Sequence, residues 1–198
     1  MSSTIGTAPA KAKPDFILVP GACHSSSCFA PTTALLEAEG YVVHGIELAS
    51  VGGAAYVESF TPDVEIIAAK IHDVLSVGRD VVMVFHSYGG IPGSEALSSH
   101  LNPSASRSPG HGKIIHLFYL TAFVLPASSS LVSASGTPGP SWYIISACGT
   151  QVEVENPRSV FYNDVEAAVA EELVGKLRPH AYRALFSEVT CEPWREVA

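Results

Sequence analysis

The sequence predicts an α/β fold, a parallel sheet covered by helices, on three observations. Short apolar runs alternate with segments of helical periodicity in the order β, α, β, α, β, α, β. The apolar runs, such as DFILV at Asp15 to Val19, lack polar alternation and so read as strands buried on both faces. Finally, 47% of the 198 residues are hydrophobic and only 15% charged, which is material for a single domain with a large interior.

The first strand, Asp15 to Val19, is bounded by Pro14 and Pro20 and leads into a loop, GACHSSSC. Pro31 to Glu39 then offers a short helix with proline in its first turn and Gly40 as its C-terminal cap. YVVHGIEL supplies a second strand. Thr61 is a good N-cap with Pro62 at the first helical position, and Val64, Ile67, Ala68, Ile71, Val74 and Leu75 recur at three- and four-residue spacing. That helix should run to about Gly78. Asp80 to Phe85 is a third strand, GGIPGSEALSSH a helix, and a Pro/Ser/Gly loop from Asn102 to Gly112 precedes a fourth strand within KIIHLFYLTAFVLP. Beyond Pro126 the chain becomes Ser/Gly/Pro-rich, then offers one amphipathic helix at Asp164 to Lys176 and a second short helical segment from Pro179 through Ser187. The expected organisation is a flexible N-terminus (1–14), an α/β core (15–126) and a cap-like helical segment (127–198) over the carboxyl ends of the strands.

Nineteen acidic against 11 basic residues give a formal net charge of −8, which disfavours nucleic acid and anionic membrane surfaces as partners. The opening MSSTIGTAPAKAKP lacks the apolar core of a secretory signal, and no apolar stretch reaches membrane length, so a cytoplasmic location is expected. Cys23, Cys28, Cys148 and Cys191 fall at irregular spacing and read as free thiols. Cys23, His24 and Cys28 lie close together, but a structural zinc needs four ligands; neither a metal nor a cofactor is expected.

The strongest chemical signal is DVVMVFHSYGG. A hydrophobic strand running into His86, Ser87, Tyr88, Gly89 and Gly90 and then into a helix is the context of a nucleophile elbow, with Ser87 as nucleophile. The turn demands small neighbours, which Gly89 and Gly90 supply; Phe85 stands where the motif usually has glycine, so its ring must point away from the turn or distort it. The second signal is Pro20-Gly21-Ala22-Cys23-His24 directly after the first strand. The amides of Ala22 and Tyr88 would then form an oxyanion hole, each donor worth roughly 3 kcal/mol in the transition state.

FILVPGACHSSSCFAPTTALLEAEGYVVHGIELAS, VVMVFHSYGG and LFYLTAFVLP together resemble the plant methylesterase and hydroxynitrile lyase branch of the α/β-hydrolases and its fungal relatives. The likeness extends to the cap segment FYNDVEAAVAEELVGKLRPHAYRALFS. It implies an α/β-hydrolase-like parallel sheet with flanking helices and a small helical cap, lacking the last two strands. It also implies Ser87 as nucleophile, the Ala22 and Tyr88 amides as the oxyanion hole, and a pocket roofed by the cap. Gly21 resembles the esterase form, since the lyases carry threonine there.

In that family the triad aspartate and histidine follow the cap, whereas this sequence stops at EPWREVA. A serine hydroxyl needs a base within hydrogen-bond reach, so ordinary triad turnover should be lost or very slow. His24, beside the oxyanion loop, is the best substitute base; His86 is adjacent to Ser87 but more simply packs beneath the elbow. His180 reads as a partly exposed helix histidine of the cap, and His44, His72, His100, His111 and His116 have no partner indicated by spacing. Asp63, Asp73 and Asp80 suit capping, solvation or turn roles. Trp142, Tyr143 and Phe161 either line the pocket or, more commonly for such residues, pack the cap onto the body.

Three functions are compatible with these residues. The first is a serine hydrolase-like enzyme acting on a small ester, lactone or related carbonyl compound. The second is a non-hydrolytic ligand-binding, cyclase, isomerase or lyase-type role, and the third an inactive shortened relative working as an interaction protein. Without two further strands, Ile114 to Leu120 would be an apolar sheet edge prone to self-association.

Overall fold

The computed structural model describes residues 12–53, 57–101, 110–136 and 138–197. All but the last three residues of the expected flexible N-terminus, and most of the Asn102 to Gly112 loop, lie outside them.

Four parallel strands form the main sheet: β1 (Asp15–Val19), β2 (Val42–Gly45), β3 (Val81–His86) and β4 (Ile114–Leu120), in the order β2-β1-β3-β4. β1 is central, with Asp15 beside Val42 on one side and Val81 on the other. Helix α1 (Ala30–Ala38) joins β1 to β2, α2 (Thr61–Ser76) joins β2 to β3, and α3 (Gly90–Ala96) with the single turn α4 (Ser98–Leu101) precedes β4. Both glycine-closed C-terminal ends read from the sequence hold, whereas α2 starts one residue early, with Phe60 rather than Thr61 at the N-cap and no side-chain cap. Gly40 (φ 79°) donates to Glu37 O at 2.8 Å and Gly78 (φ 79°) to Leu75 O at 3.0 Å, each closing its helix in the left-handed conformation that glycine adopts without cost. The β2 ladder is shorter than YVVHGIEL suggests, although Ile46 N still bonds Leu18 O and both Ile46 and Leu48 enter the core.

The core forms where the α2 stripe of Ile67, Ile71 and Val74 meets Ile17 and Val19 of β1 and Val81 and Met83 of β3. Ile67 and Ile71 are completely buried, each contributing about 2 kcal/mol of hydrophobic stabilisation. Asp15, itself buried, is held by the Arg79 guanidinium (Nε at 2.8 Å) and by His44 Nε2 at 2.9 Å, so His44 has a partner that its sequence spacing concealed.

Among the described residues β4 is the last strand of the sheet, and on one of its faces His116, Phe118 and Leu120 are exposed, the last two to 52% and 53%. No helix among the described residues is long and apolar enough to cross a membrane, and all four cysteines are free.

Residues beyond Pro126 depart from a purely helical cap. Helices α5 (Leu131–Ser135), α6 (Pro157–Phe161) and α7 (Ala167–Gly175) are present, but β5 (Tyr143–Ile145), β6 (Gln151–Val154) and β7 (His180–Ala181) form a three-stranded antiparallel sheet among them. The segment expected as a helix after Pro179 is instead β7 followed by a 3-10 turn at Tyr182–Phe186. Main-chain bonds fasten this sheet to loops of the body. Ala181 N donates to Ser50 O (2.7 Å), Gly52 N to Pro179 O (2.9 Å) and Arg178 N to Cys23 O (3.0 Å).

Candidate active site

β3 ends at His86 and the chain turns through Ser87–Gly89 into α3. Ser87 has φ 51°, the left-handed region, which costs a residue with a Cβ roughly 1–2 kcal/mol and tends to persist at functional turns. Its surroundings fix it there. Phe123 N donates to Ser87 O at 3.0 Å. A Cβ on Gly89 would lie 2.4 Å from Pro20 O, and one on Gly90 2.4 Å from Phe123 O. Phe85 is accommodated because its buried ring turns away from Ser87. It fills the space a side chain on Gly93 would need (2.4 Å) and stacks tilted on Tyr119 with centroids 5.1 Å apart.

The loop after β1 comes up against this turn. A Cβ on Gly21 would lie 2.9 Å from Ser87 Cβ and 3.1 Å from His86 Nδ1, so only glycine lets the two backbones approach this closely. Cys23 (φ 66°) and the bond from His24 N to Gly21 O at 3.3 Å make the loop a tight turn. His24 braces it from within, since Nδ1 lies 2.7 Å from Ala22 O. A carbonyl only accepts, so Nδ1 carries the hydrogen, and Nε2 therefore accepts from the Tyr162 hydroxyl at 2.8 Å. Burial pushes the His24 pKa down against the pull of the Ala22 carbonyl, and burial together with His24 lowers that of His86. His86 Nδ1 is buried and has no hydrogen-bond partner among the described residues.

Ala22, His24, His86, Ser87 and Tyr88 all line one cavity of about 700 Å³. Every site residue singled out in the sequence is thus brought to a common space. The cap roofs it with Trp142, Tyr143, Phe161 and Tyr162, and Phe29 closes a side. These aromatics both pack and line: Trp142 meets Tyr143 at 4.7 Å and Phe161 at 5.9 Å, while Phe161 stands 5.2 Å from the His24 ring. Among the described residues, Phe85 is not part of the lining, and neither is any Asp, Glu, Lys or Arg.

Behind the turn is a polar group that sequence reading missed. The Tyr88 hydroxyl, fully buried, donates to Asp63 Oδ2 at 2.9 Å, and Ser50 N donates to Asp63 Oδ1 at 2.9 Å. Asp63 is therefore a completely buried anchor of Tyr88, the residue after Ser87, not merely a helix-start carboxylate. Burial raises its pKa while the bonds from Ser50 and Tyr88 oppose the rise, and burial beside Asp63 raises that of Tyr88. His180 packs edge-on against Tyr88 with centroids 4.6 Å apart. The expected partly exposed helix histidine is in fact a fully buried strand residue, its pKa pushed down by burial to about 3 and both ring nitrogens without a partner among the described residues. Tyr162 was missed as well. It meets His24 across 138 positions of sequence, with no local pattern to announce the pairing.

Residues 16–198 match the family model described as the alpha/beta hydrolase family. The chain is 27% identical over 188 residues to the alpha/beta hydrolase nvfD of Aspergillus novofumigatus, covering 93% of this chain and 74% of that relative. It is 34% identical over 116 residues to methylesterase 4 of Arabidopsis thaliana, covering 57% of this chain and 40% of the relative. Among solved structures, an extracellular alpha/beta-hydrolase from a Paenibacillus species superposes with a TM-score of 0.68 at 16% identity, over 90% of this chain and 71% of that one. The methylesterase MES16 from Arabidopsis gives 0.65 at 20% identity, over 93% and 75%. At such identities these superpositions establish the fold.

Proposed function

The chain belongs to the alpha/beta hydrolase family, and from that premise we propose that it is a serine-nucleophile hydrolase acting on an ester, lactone or related carbonyl compound. One observation carries the reading: Ser87, at φ 51° on a strand-to-helix turn, stands on the wall of a roofed cavity with the first-strand loop packed against it. In the reaction, Ser87 Oγ attacks the carbonyl carbon and the resulting oxyanion is received by the Ala22 and Tyr88 amides. The alkoxide leaves with a proton, and water then cleaves the acyl-serine. The similarity to two proteins named methylesterases supports an ester as the substrate class.

The proton of Ser87 requires a base, and we assign that role to His24. Its Nδ1–H is committed to Ala22 O, which leaves Nε2 as the basic atom, and burial keeps the ring neutral. Tyr162 occupies Nε2 and must yield first, so turnover is expected to be slow. Hydrolysis of p-nitrophenyl acetate should fall to the buffer rate in Ser87→Ala; equal rates in both proteins would sink the proposal.

The engagement of both His24 nitrogens favours a second reading, in which the pocket binds a carbonyl compound and polarises it for cyclisation, isomerisation or elimination without an acyl-enzyme. Product formation that persists in Ser87→Ala distinguishes it.

A further inference from the structure

The cavity at Ser87 carries information about its occupant beyond the reacting bond. Its volume of about 700 Å³ lies in the upper part of the roughly 300–1,000 Å³ range of pockets that enclose drug-sized molecules. A one-ring acetate ester would leave much of it to water. Among the described residues that line it there is no Asp, Glu, Lys or Arg. Several polar side chains that do line it are already satisfied within the protein: His24 by Ala22 O and Tyr162, Tyr162 by His24, and Ser135 by donation to Leu131 O at 2.7 Å. Away from the turn, the roof is aromatic and aliphatic, made of Trp142, Tyr143, Phe161 and Val152. The polar groups at the Ser87 end therefore face an apolar chamber at the other.

We infer that the substrate is a large, neutral, apolar molecule, of fused-ring or comparable bulk, that carries its reacting carbonyl at one end. This rests on the reading of Ser87 as the reacting end and adds the size and charge of the rest. An ionised carboxylate placed among these walls would lose its hydration with no cation to meet it, whereas an ester of the same skeleton would lose little. Shape and burial, not a salt bridge, select the ligand.

The test separates binding from turnover by using Ser87→Ala and a matched pair of tricyclic probes, methyl abietate and abietate, with methyl acetate as the small comparison. Binding is followed by Trp142 fluorescence, and Trp142→Phe assigns the signal. Methyl abietate should bind at least about tenfold more tightly than abietate, a difference of about 1.4 kcal/mol, and methyl acetate should give no saturable change. In Phe161→Lys the preference should narrow or reverse. The inference is overturned if abietate binds as well as its ester, if methyl acetate binds as well as methyl abietate, if none of the three binds, or if Phe161→Lys leaves the preference unchanged. Should native protein release no methanol from methyl abietate while Ser87→Ala still selects the neutral tricycle, the hydrolase reading fails and the assignment of size and charge stands.

Discussion

The turn that carries Ser87 and the roof above it are built on opposite plans. Around the turn, main chain meets main chain: Gly21, Gly89 and Gly90 each sit where a single methyl group would collide with neighbouring atoms, and Phe85, Tyr88 and Leu97 are sealed from solvent. In the roof, strands of three, four and two residues and helices of five and nine hold side chains that are mostly half-buried or exposed, and aromatic edges supply the walls. The difference teaches that the position of Ser87 is set by backbone geometry, while the shape of the cavity above it is set by side chains.

The comparison breaks most severely at Gly89. In Gly89→Ala the new methyl would lie 2.4 Å from Pro20 O and 2.7 Å from Val19 O, both main-chain atoms that cannot rotate aside. A loss of at least about 3 kcal/mol of stability is expected, measured by urea unfolding; a loss below 1 kcal/mol would mean that the turn is not backbone-locked.

His180 sharpens the contrast from the other side, as a roof residue buried like one from the body. Its pKa falls from 6.5 when solvated to about 3 when folded, so between those values the unfolded chain takes up a proton that the folded chain refuses. Stability should therefore decline as pH drops from 6.5 towards 3, with no contribution from this group above 6.5. His180→Leu keeps an apolar contact on Tyr88 and removes the titrating ring. Its unfolding free energy should be flatter over that range, and an unchanged slope would assign the acid sensitivity elsewhere.

The smallest expected effect on stability concerns Phe118, a body residue exposed like one of the roof. We propose that the bare face and edge of β4 mediate self-association, since an exposed edge with apolar side chains offers a template for pairing. Phe118→Lys should change folding stability by no more than about 0.5 kcal/mol while shifting the sedimentation profile towards smaller species; a native protein already monomeric at high concentration refutes the idea.

What was legible in the sequence follows the same division. β1, β3 and β4 announce themselves because their apolar runs are continuous and bounded, and the elbow because strand, serine and paired glycines are contiguous. The three-stranded sheet of the cap was invisible, since strands of two to four residues carry no usable periodicity and β7 lies far along the chain from its partner β6. His180 looked exposed because its cover, Tyr88 and the strand around Val152, is remote in sequence. Asp63 looked like a cap because position alone cannot reveal that a tyrosine hydroxyl 25 residues away completes its bonding. The distant pairing of His24 with Tyr162 was hidden for the same reason.

The cavity walls have a further consequence for how such a protein changes over generations. The Ser87 end is drawn from residues 22–32, 86–88 and 120–123, and the roof from 131–173. A substitution in the later stretch reshapes the cavity wall without touching the strand-to-helix turn that sets the pose of Ser87. The form of the cavity is thus open to gradual drift in one contiguous block of the gene, at little risk to the turn encoded upstream.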